Sequence, residues 1–302
     1  MIPREPKAQR GWLTPAVVGG LCGLGAALGW AAGFVAARHG IAIGLTPADM
    51  AFHRFVWAGL IVLPMVWRSG FSDLGGVGWW PAILLTILGG AVQSVVSHSG
   101  FMLVPLGHGA VIQPGAATLG GLLLASLVLR EPLLARRVVG ATAIVIGLLL
   151  LAGESLTLSG ARGVTGDALF LCAGLMWALF GTFARLWNIP ARRAAFSVCV
   201  LSLLVYAPLY AVFVGFDGML RAGLWENLLQ IAVQAGLAGP LPIHLYTRAV
   251  FLLGAGRAAA FPAMVPPATV LIGFVLLGEA PSLVQLAGLA VVALGFRFVL
   301  KN

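Results

Sequence analysis

Charge is what this chain has least of. Only 9% of its 302 residues are charged and 60% are apolar, whereas a soluble domain carries about 25% charged residues. So few charges cannot clothe a water-facing surface, which excludes an ordinary soluble enzyme. Acids are the scarcer sign, with nine Asp and Glu against 18 Lys and Arg. Cysteine is nearly absent. Cys22, Cys172 and Cys199 each sit in an apolar run, without the spacing of a metal site or a disulfide framework, and read as small core residues. Glycine is plentiful, but no Gly-Lys-Ser/Thr follows any glycine-rich segment, so a phosphate loop is excluded. The net charge of +9 would suggest nucleic acid on a soluble protein. On a chain this apolar it suggests basic loops facing the cytoplasm.

What is present is a series of long uncharged windows. A bilayer span takes about 20 apolar residues, and ten such spans consume nearly the whole chain. The windows 11–37 and 74–129 carry no charge, and the second suits two helices turning near Pro105-Leu106-Gly107. Ten helices are expected, near 14–37, 47–67, 79–103, 108–129, 135–152, 166–187, 194–216, 226–253, 257–277 and 282–300. The basic N-terminus precedes an apolar stretch too long for a signal peptide, so residues 1–13 read as a cytoplasmic tail before a retained first helix. With the N-terminus inside, 14 of the 18 Lys and Arg fall in cytoplasmic segments. Arg38, Arg54, Arg162 and Arg221 alone fall on the other side. Both termini are therefore expected in the cytoplasm.

The two halves resemble each other at an offset of about 147 residues. GWAAGFVAAR (29–38) aligns with MWALFGTFAR (176–185), pairing Trp30 with Trp177 and Arg38 with Arg185. LGHG (106–109) aligns with LGAG (253–256), and a one-residue slip pairs Glu131 with Glu279. Five helices per half is an odd number, so the second half runs through the membrane upside down. Inverted repeats are the mark of secondary transporters, because two similar halves can exchange conformations.

The stretches LGWAAGFVAAR, HRFVWAGLIVLP, VLREP and RAAAFPAMVPPATVLIGFVLLGEAPSLVQLAGLAVVALG resemble the drug/metabolite transporter superfamily, EamA type. The resemblance runs from about residue 14 to the end. The first half departs from it in Arg130-Glu131-Pro132, where the family usually has Gly-Glu. It implies an all-α integral membrane protein with ten transmembrane helices in two inverted five-helix repeats, 14–152 and 166–300, that exports a small organic solute.

Polar groups inside spans are costly and mark candidate sites. No carboxylate falls at mid-span, which argues against a buried Asp or Glu proton relay and leaves histidine as a proton carrier. In the eighth helix Gln230, Gln234, His244 and Arg248 project to one side on an ideal helical wheel, beside the break Gly239-Pro240-Leu241-Pro242. Backbone carbonyls freed by proline are tolerated at membrane depth where they line a cavity. Gln234, His244 and Arg248 are therefore candidate substrate contacts, with Tyr246 flanking them. Interhelical hydrogen bonds, with Arg248 snorkelling, are the alternative. The third helix offers Gln93 and Ser97 on one face and Ser94 and His98 on the next. Gln113-Pro114 in the fourth, and Pro262 with Pro266-Pro267 in the ninth, resemble broken-helix signals. Trp30 and Trp177, near mid-span in repeat-related positions, suit aromatic walls. Asp49 precedes His53 by four residues and is expected to pair with it. Arg54 is either a snorkelling cation or an attraction site for a carboxylate. Glu131 and Glu279 are expected to cap helix starts.

These readings converge on a secondary transporter in the inner membrane that exports an amino-acid-like or related metabolite by alternating access. Scarce central acids, with His, Gln and Trp available, favour a neutral, zwitterionic or anionic solute. The partners expected are that solute and the lipid bilayer, with proton coupling, exchange and the solute's own gradient all open as the drive. No nucleic acid, cofactor or metal is expected, and the protein is expected as a monomer or homodimer. A membrane sensor or accessory subunit is the alternative. An intramembrane enzyme ranks last, because neither Gly-x-Ser-x-Gly nor a mid-span metal set is present.

Overall fold

The computed structural model describes residues 14–128, 130, 134–253, 258 and 261–300. The tail 1–13, Glu131 with its Glu-Pro pair, Gly254–Gly256 of the second repeat motif, Arg257 and Lys301 lie outside the described residues.

Ten apolar helical segments are described, and no strand occurs among these residues. They are α1 (Pro15–Ala42), α2 (Pro47–Arg68), α3 (Trp79–Gly100), α4 (Leu106–Leu127), α5 (135–159), α6 (Gly160–Leu186), α7 (Ala191–Phe213), α8 (Leu224–Leu253), α9 (Pro262–Leu277) and α10 (Leu283–Leu300). Seven of them are long and apolar enough to cross a membrane by length and composition alone. The architecture is that of an all-α integral membrane protein.

The starts are written locally. Thr14 caps α1 with Pro15 behind it. Thr46 and Asp49 form a reciprocal capping box at α2, each side chain accepting from the other's backbone N–H, at 2.7 and 3.2 Å. Three features depart from the expected boundaries. α1 runs on to Ala42 instead of ending at 37. The expected loop 153–165 is helical, and only Gly160, at φ 57 and ψ −143, separates α5 from α6. That left-handed φ suits glycine, so a one-residue corner replaces a loop. Gly90, at φ −106 and ψ −144, breaks α3.

Two further irregularities are π segments, Ser202–Tyr206 in α7 and Ile231–Leu237 in α8. Each precedes a proline, Pro208 and Pro240 respectively, which lacks the N–H that would continue an α ladder.

The helices pack through small residues. Gly147 and Gly295 bring α5 and α10 into backbone contact, since a Cβ on Gly147 would lie 2.5 Å from Val292 Cγ2 and one on Gly295 would lie 2.7 Å from Gly140 O. α1 lies against α8 and α9, and α6 against α3 and α4, which are equivalent pairings under the repeat. α2 meets α7 across the halves. Of the three cysteines Cys199 is buried and Cys22 partly so, while Cys172 is exposed on α6, contrary to the expected core position.

Candidate functional site

One end of the bundle, where α1 turns into α2 and α9 into α10, is tied by polar contacts. Arg38 Nε donates to Glu279 Oε1 at 2.6 Å, and Arg38 Nη1 donates to the Phe101 carbonyl at 2.6 Å. That carbonyl stands at the end of α3, where the last carbonyls have no intrahelical N–H donor left. Glu279 Oε2 accepts from Leu106 N at 3.0 Å. Glu279 thus caps a helix start as expected, but the helix is α4 of the other half, not its own. Beside it His39 Nε2 meets Glu226 Oε2 at 3.1 Å, and Gln230 Nε2 bridges Glu226 Oε1 at 2.7 Å and Ala36 O at 3.0 Å. Further along the same end Tyr210 donates its hydroxyl to Asp49. His53 does not hydrogen-bond Asp49 as expected; its Nε2 meets Asn227 Oδ1 at 3.1 Å. The capping box and Tyr210 hold the Asp49 carboxylate.

Deeper in the bundle the break in α8 creates a second polar feature. Pro242 has no N–H to offer the carbonyl four residues back, which is Ala238 O. Arg54 Nη2 donates to that carbonyl at 3.2 Å. Arg54 stands seven residues past Pro47, roughly 10 Å along α2 at the helical rise. Gln234, fully buried in the π segment, donates through Nε2 to Gly33 O at 3.0 Å, and its Oε1 has no partner. Gly33 lets Ala238 approach closely: a Cβ there would lie 2.5 Å from Ala238 Cβ, while Arg54 Nη1 and Gln234 Oε1 lie at ordinary contact distance, 3.5 and 3.8 Å. Arg54 is therefore not the snorkelling cation of one reading. Its guanidinium turns inward onto a carbonyl.

A third group lies between α3, α4 and α6. Gln93 Nε2 donates to Ala173 O at 3.2 Å, and Ser97 Oγ donates to Gln113 Oε1 at 2.5 Å. Ser94 Oγ and His98 Nδ1 are 3.3 Å apart, and the His98 ring stacks on Phe101.

The expected residues are therefore divided. Gln93, Ser97 and Gln113 come together, with His98 one face away. Gln234 joins Arg54 on the far side of α2. Trp30 and Tyr246 pair their rings at 5.8 Å between α1 and α8. Trp177 stacks on Phe180 and is 39% exposed. The polar stripe drawn through α8 does not persist. Gln230 and Gln234 are buried, while His244 and Arg248 are exposed. A π turn has wider hydrogen-bond spacing, and together with the Gly239-Pro240 break it rotates the lower half of the helix out of the ideal register.

A fourth group is a buried cluster that sequence reasoning missed. His108 on α4 meets Asp167 Oδ1 of α6 through Nδ1 at 2.9 Å and Glu154 Oε2 of α5 through Nε2 at 3.5 Å. All three are at least nine-tenths buried. Asp49 and Glu154 stand near helix ends as expected, and Asp167 is seven residues past the Gly160 corner, but all three carboxylates are buried. Nothing in the local sequence joins residues 46 and 59 positions apart. Among the described residues no group of three or more His, Cys, Asp and Glu is arranged to hold a metal ion.

A family model described as the EamA-like transporter family matches this chain twice, over residues 17–153 and 164–301. The chain belongs to the EamA-like transporter family. The two matched stretches are the two five-helix halves, so the repeat seen at Trp30/Trp177 and Arg38/Arg185 is the EamA unit written twice. No curated protein matches the chain. Solved structures do match; one, described only as a crystal structure of a protein, superposes with a TM-score of 0.62 at 19% identity, covering 93% of this chain and 96% of that one. That likeness concerns the fold. For Arg54 the sequence did hold a signal: an arginine inside an apolar span, and a proline four residues after a carbonyl able to receive it. For Arg38 with Glu279 it held none, because that contact joins opposite ends of the chain.

Proposed function

We propose that this EamA-type protein is a secondary transporter that exports a small organic metabolite bearing a carboxylate, amino-acid-like in size, by alternating access. The recurring placement of Lys and Arg supports an inner-membrane orientation with both termini cytoplasmic. In that orientation the Arg38–Glu279 end faces outward, and the bundle is closed there.

The observation that carries the reading is Arg54. A guanidinium has five N–H donors, and among the described residues its one hydrogen bond goes to Ala238 O. A cation kept inside the membrane on a carbonyl that a proline has freed has donors to offer an anionic group. Gln234 Oε1, buried and unpartnered beside it, is an acceptor for an ammonium. Together they suit a zwitterion. Trp30 and Tyr246 supply an aromatic wall on the same helix pair.

The test is flux from proteoliposomes loaded with labelled amino acids, organic acids and neutral analogues. Arg54→Gln is expected to lower flux of the carboxylate-bearing solutes at least about tenfold, the equivalent of one charge-assisted hydrogen bond. Neutral analogues are expected to change little, and Arg54→Lys to keep part of the activity. Equal loss for charged and neutral solutes would remove the carboxylate from the reading. Failure of every solute to move would remove the transporter.

A further inference from the structure

We propose that Gln230 and Gln234 of α8 form an ammonium subsite beside Arg54, so that the solute recognised carries a free primary ammonium next to its carboxylate. The proposal deepens the carboxylate reading at Arg54 and rests on it.

The hydrogen bonds fix which atom each side chain leaves over. Gln230 Nε2 donates to Glu226 Oε1 at 2.7 Å and to Ala36 O at 3.0 Å. Turning the amide over would set its oxygen against two acceptors, so Oε1 is the atom left buried and without a partner. Gln234 Nε2 donates to Gly33 O at 3.0 Å, which leaves its Oε1 in the same condition. The pattern continues one turn further out. Asn227 Nδ2 donates to Met219 O and Gly223 O, at 2.7 and 2.6 Å, so its Oδ1 is what meets His53 Nε2. That ring nitrogen must donate, and the neutral ring keeps a buried lone pair on Nδ1. Among the described residues, the buried unpartnered atoms of α2 and α8 are three acceptors, Gln230 Oε1, Gln234 Oε1 and His53 Nδ1, against one donor, Trp57 Nε1. Buried polar groups are nearly always paired, so the partner missing from this seam is a donor.

The two glutamine oxygens follow one another along the α1–α8 seam. Both side chains are fully buried, and residues four apart share a helix face. Their amides reach α1 carbonyls three residues apart, Ala36 and Gly33. The position of a Gly33 Cβ lies 3.8 Å from Gln234 Oε1 and 3.5 Å from Arg54 Nη1, so one solute can touch both.

The ends of this run carry opposite charge. Glu226 stands one turn before Gln230, and Ala238, whose carbonyl holds Arg54, stands one turn after Gln234. A zwitterion is therefore oriented, with its carboxylate toward Arg54 and its ammonium toward Gln230 and Glu226. The Glu226 carboxylate also polarises the Gln230 amide through the shared N–H, which strengthens Oε1 as an acceptor. A primary ammonium has three N–H donors and no lone pair, so it can serve both oxygens at once. A hydroxyl has a single donor, and a trimethylated nitrogen has none. Selection therefore falls on the N–H groups and not on charge alone.

Titration calorimetry of the full chain in nanodiscs tests the subsite. The probes are alanine, leucine and phenylalanine, each beside its 2-hydroxy acid and its N,N,N-trimethyl derivative. Each amino acid that binds is expected to bind at least about tenfold tighter than either counterpart, the worth of one charge-assisted hydrogen bond. Gln234→Met and Gln230→Met keep the side-chain length and remove the acceptor. Each folded variant is expected to lower the preference for amino acid over hydroxy acid several-fold, with little change in hydroxy-acid affinity. Arg54→Gln is expected to weaken amino and hydroxy acids alike. A wild-type protein that binds amino and hydroxy acids equally, or a preference that survives in the folded variants, overturns the proposal and leaves the carboxylate reading standing. An ammonium preference that is present while Arg54→Gln changes no affinity counts against the carboxylate reading and not against the two glutamines. Binding of none of the probes overturns both.

Discussion

Arg38 and Glu279 stand 241 positions apart and meet at 2.6 Å, and each is also held by a backbone group of a third segment, Phe101 O and Leu106 N. The contact is therefore a four-part joint and not a simple ion pair. Its two carboxylate oxygens are divided, one to a cation of α1 and one to the positive end of α4. The joint draws the first, third, fourth and ninth helices together at one end of the bundle.

A charge swap distinguishes the joint from a pair. An exposed ion pair alone contributes only about 0–1 kcal/mol, so Arg38→Ala, which also strips the Phe101 carbonyl of its donor, is expected to lower the thermal midpoint by more than an ion pair would. Glu279→Arg costs more, since it sets a cation against the Leu106 N–H and the α4 N-terminus. The double swap Arg38→Glu with Glu279→Arg is expected to be no more stable than Glu279→Arg alone, measured by thermal unfolding in detergent. Recovery of the wild-type midpoint would reduce the joint to its ion pair.

Pro242→Ala restores an N–H four residues after Ala238. Pro242 lies in the first turn of the helical segment that begins at Pro240, where proline costs little, so the variant is expected to unfold near the wild-type temperature. The restored N–H competes with Arg54 for the Ala238 carbonyl. Flux is therefore expected to fall several-fold at little change in stability, as read from paired melting and transport assays. A variant of unchanged stability that stays fully active would show that the Arg54–Ala238 contact does not matter to transport.

Packing between α5 and α10 is a test independent of the site. Gly147 meets Val292 and Gly288, and Gly295 meets Ile144 and Gly140. Gly147→Val overfills that seam, which typically costs about 1–3 kcal/mol. The midpoint is expected to fall, while flux per folded molecule at low temperature stays near wild type. A fall in flux per folded molecule without loss of stability would give the seam a part in the conformational exchange.

Hydrophobic periodicity and charge-free windows carry the number of helices, the repeat and most helix starts, because each is a local property of 20 or so residues. Thr46 with Asp49 is such a case, since a cap is written within four positions. The corner at Gly160 was not legible, because Glu154, Arg162 and Asp167 together look like a solvated loop until their helix faces are known. The rotation of His244 away from Gln234 was hidden by the π segment, which no residue pattern in α8 announces. His108 with Glu154 and Asp167, like Arg38 with Glu279, arises from tertiary placement alone.

Asp49 and Tyr210 form a coupled pair whose energetics are testable by a double-mutant cycle. Asp49 accepts from Thr46 N through Oδ2 and from the Tyr210 hydroxyl through Oδ1. Tyr210→Phe removes one donor and leaves a buried carboxylate oxygen unpartnered, a loss of about 1.5–3 kcal/mol for a hydrogen bond to a charged group. Asp49→Asn keeps its oxygen for the Thr46 N–H and turns its amide N–H to the Tyr210 hydroxyl, which can accept it, so it is expected to cost no more than Tyr210→Phe. In the double variant there is no Tyr210 hydroxyl contact left to weaken. The double variant is therefore expected to be less destabilised than the sum of the two single changes, with the difference giving the coupling. Chemical unfolding of the four proteins measures it. Strict additivity would mean that the Tyr210 hydroxyl and the Asp49 carboxylate do not depend on each other, and the cap of α2 would then rest on Thr46 alone.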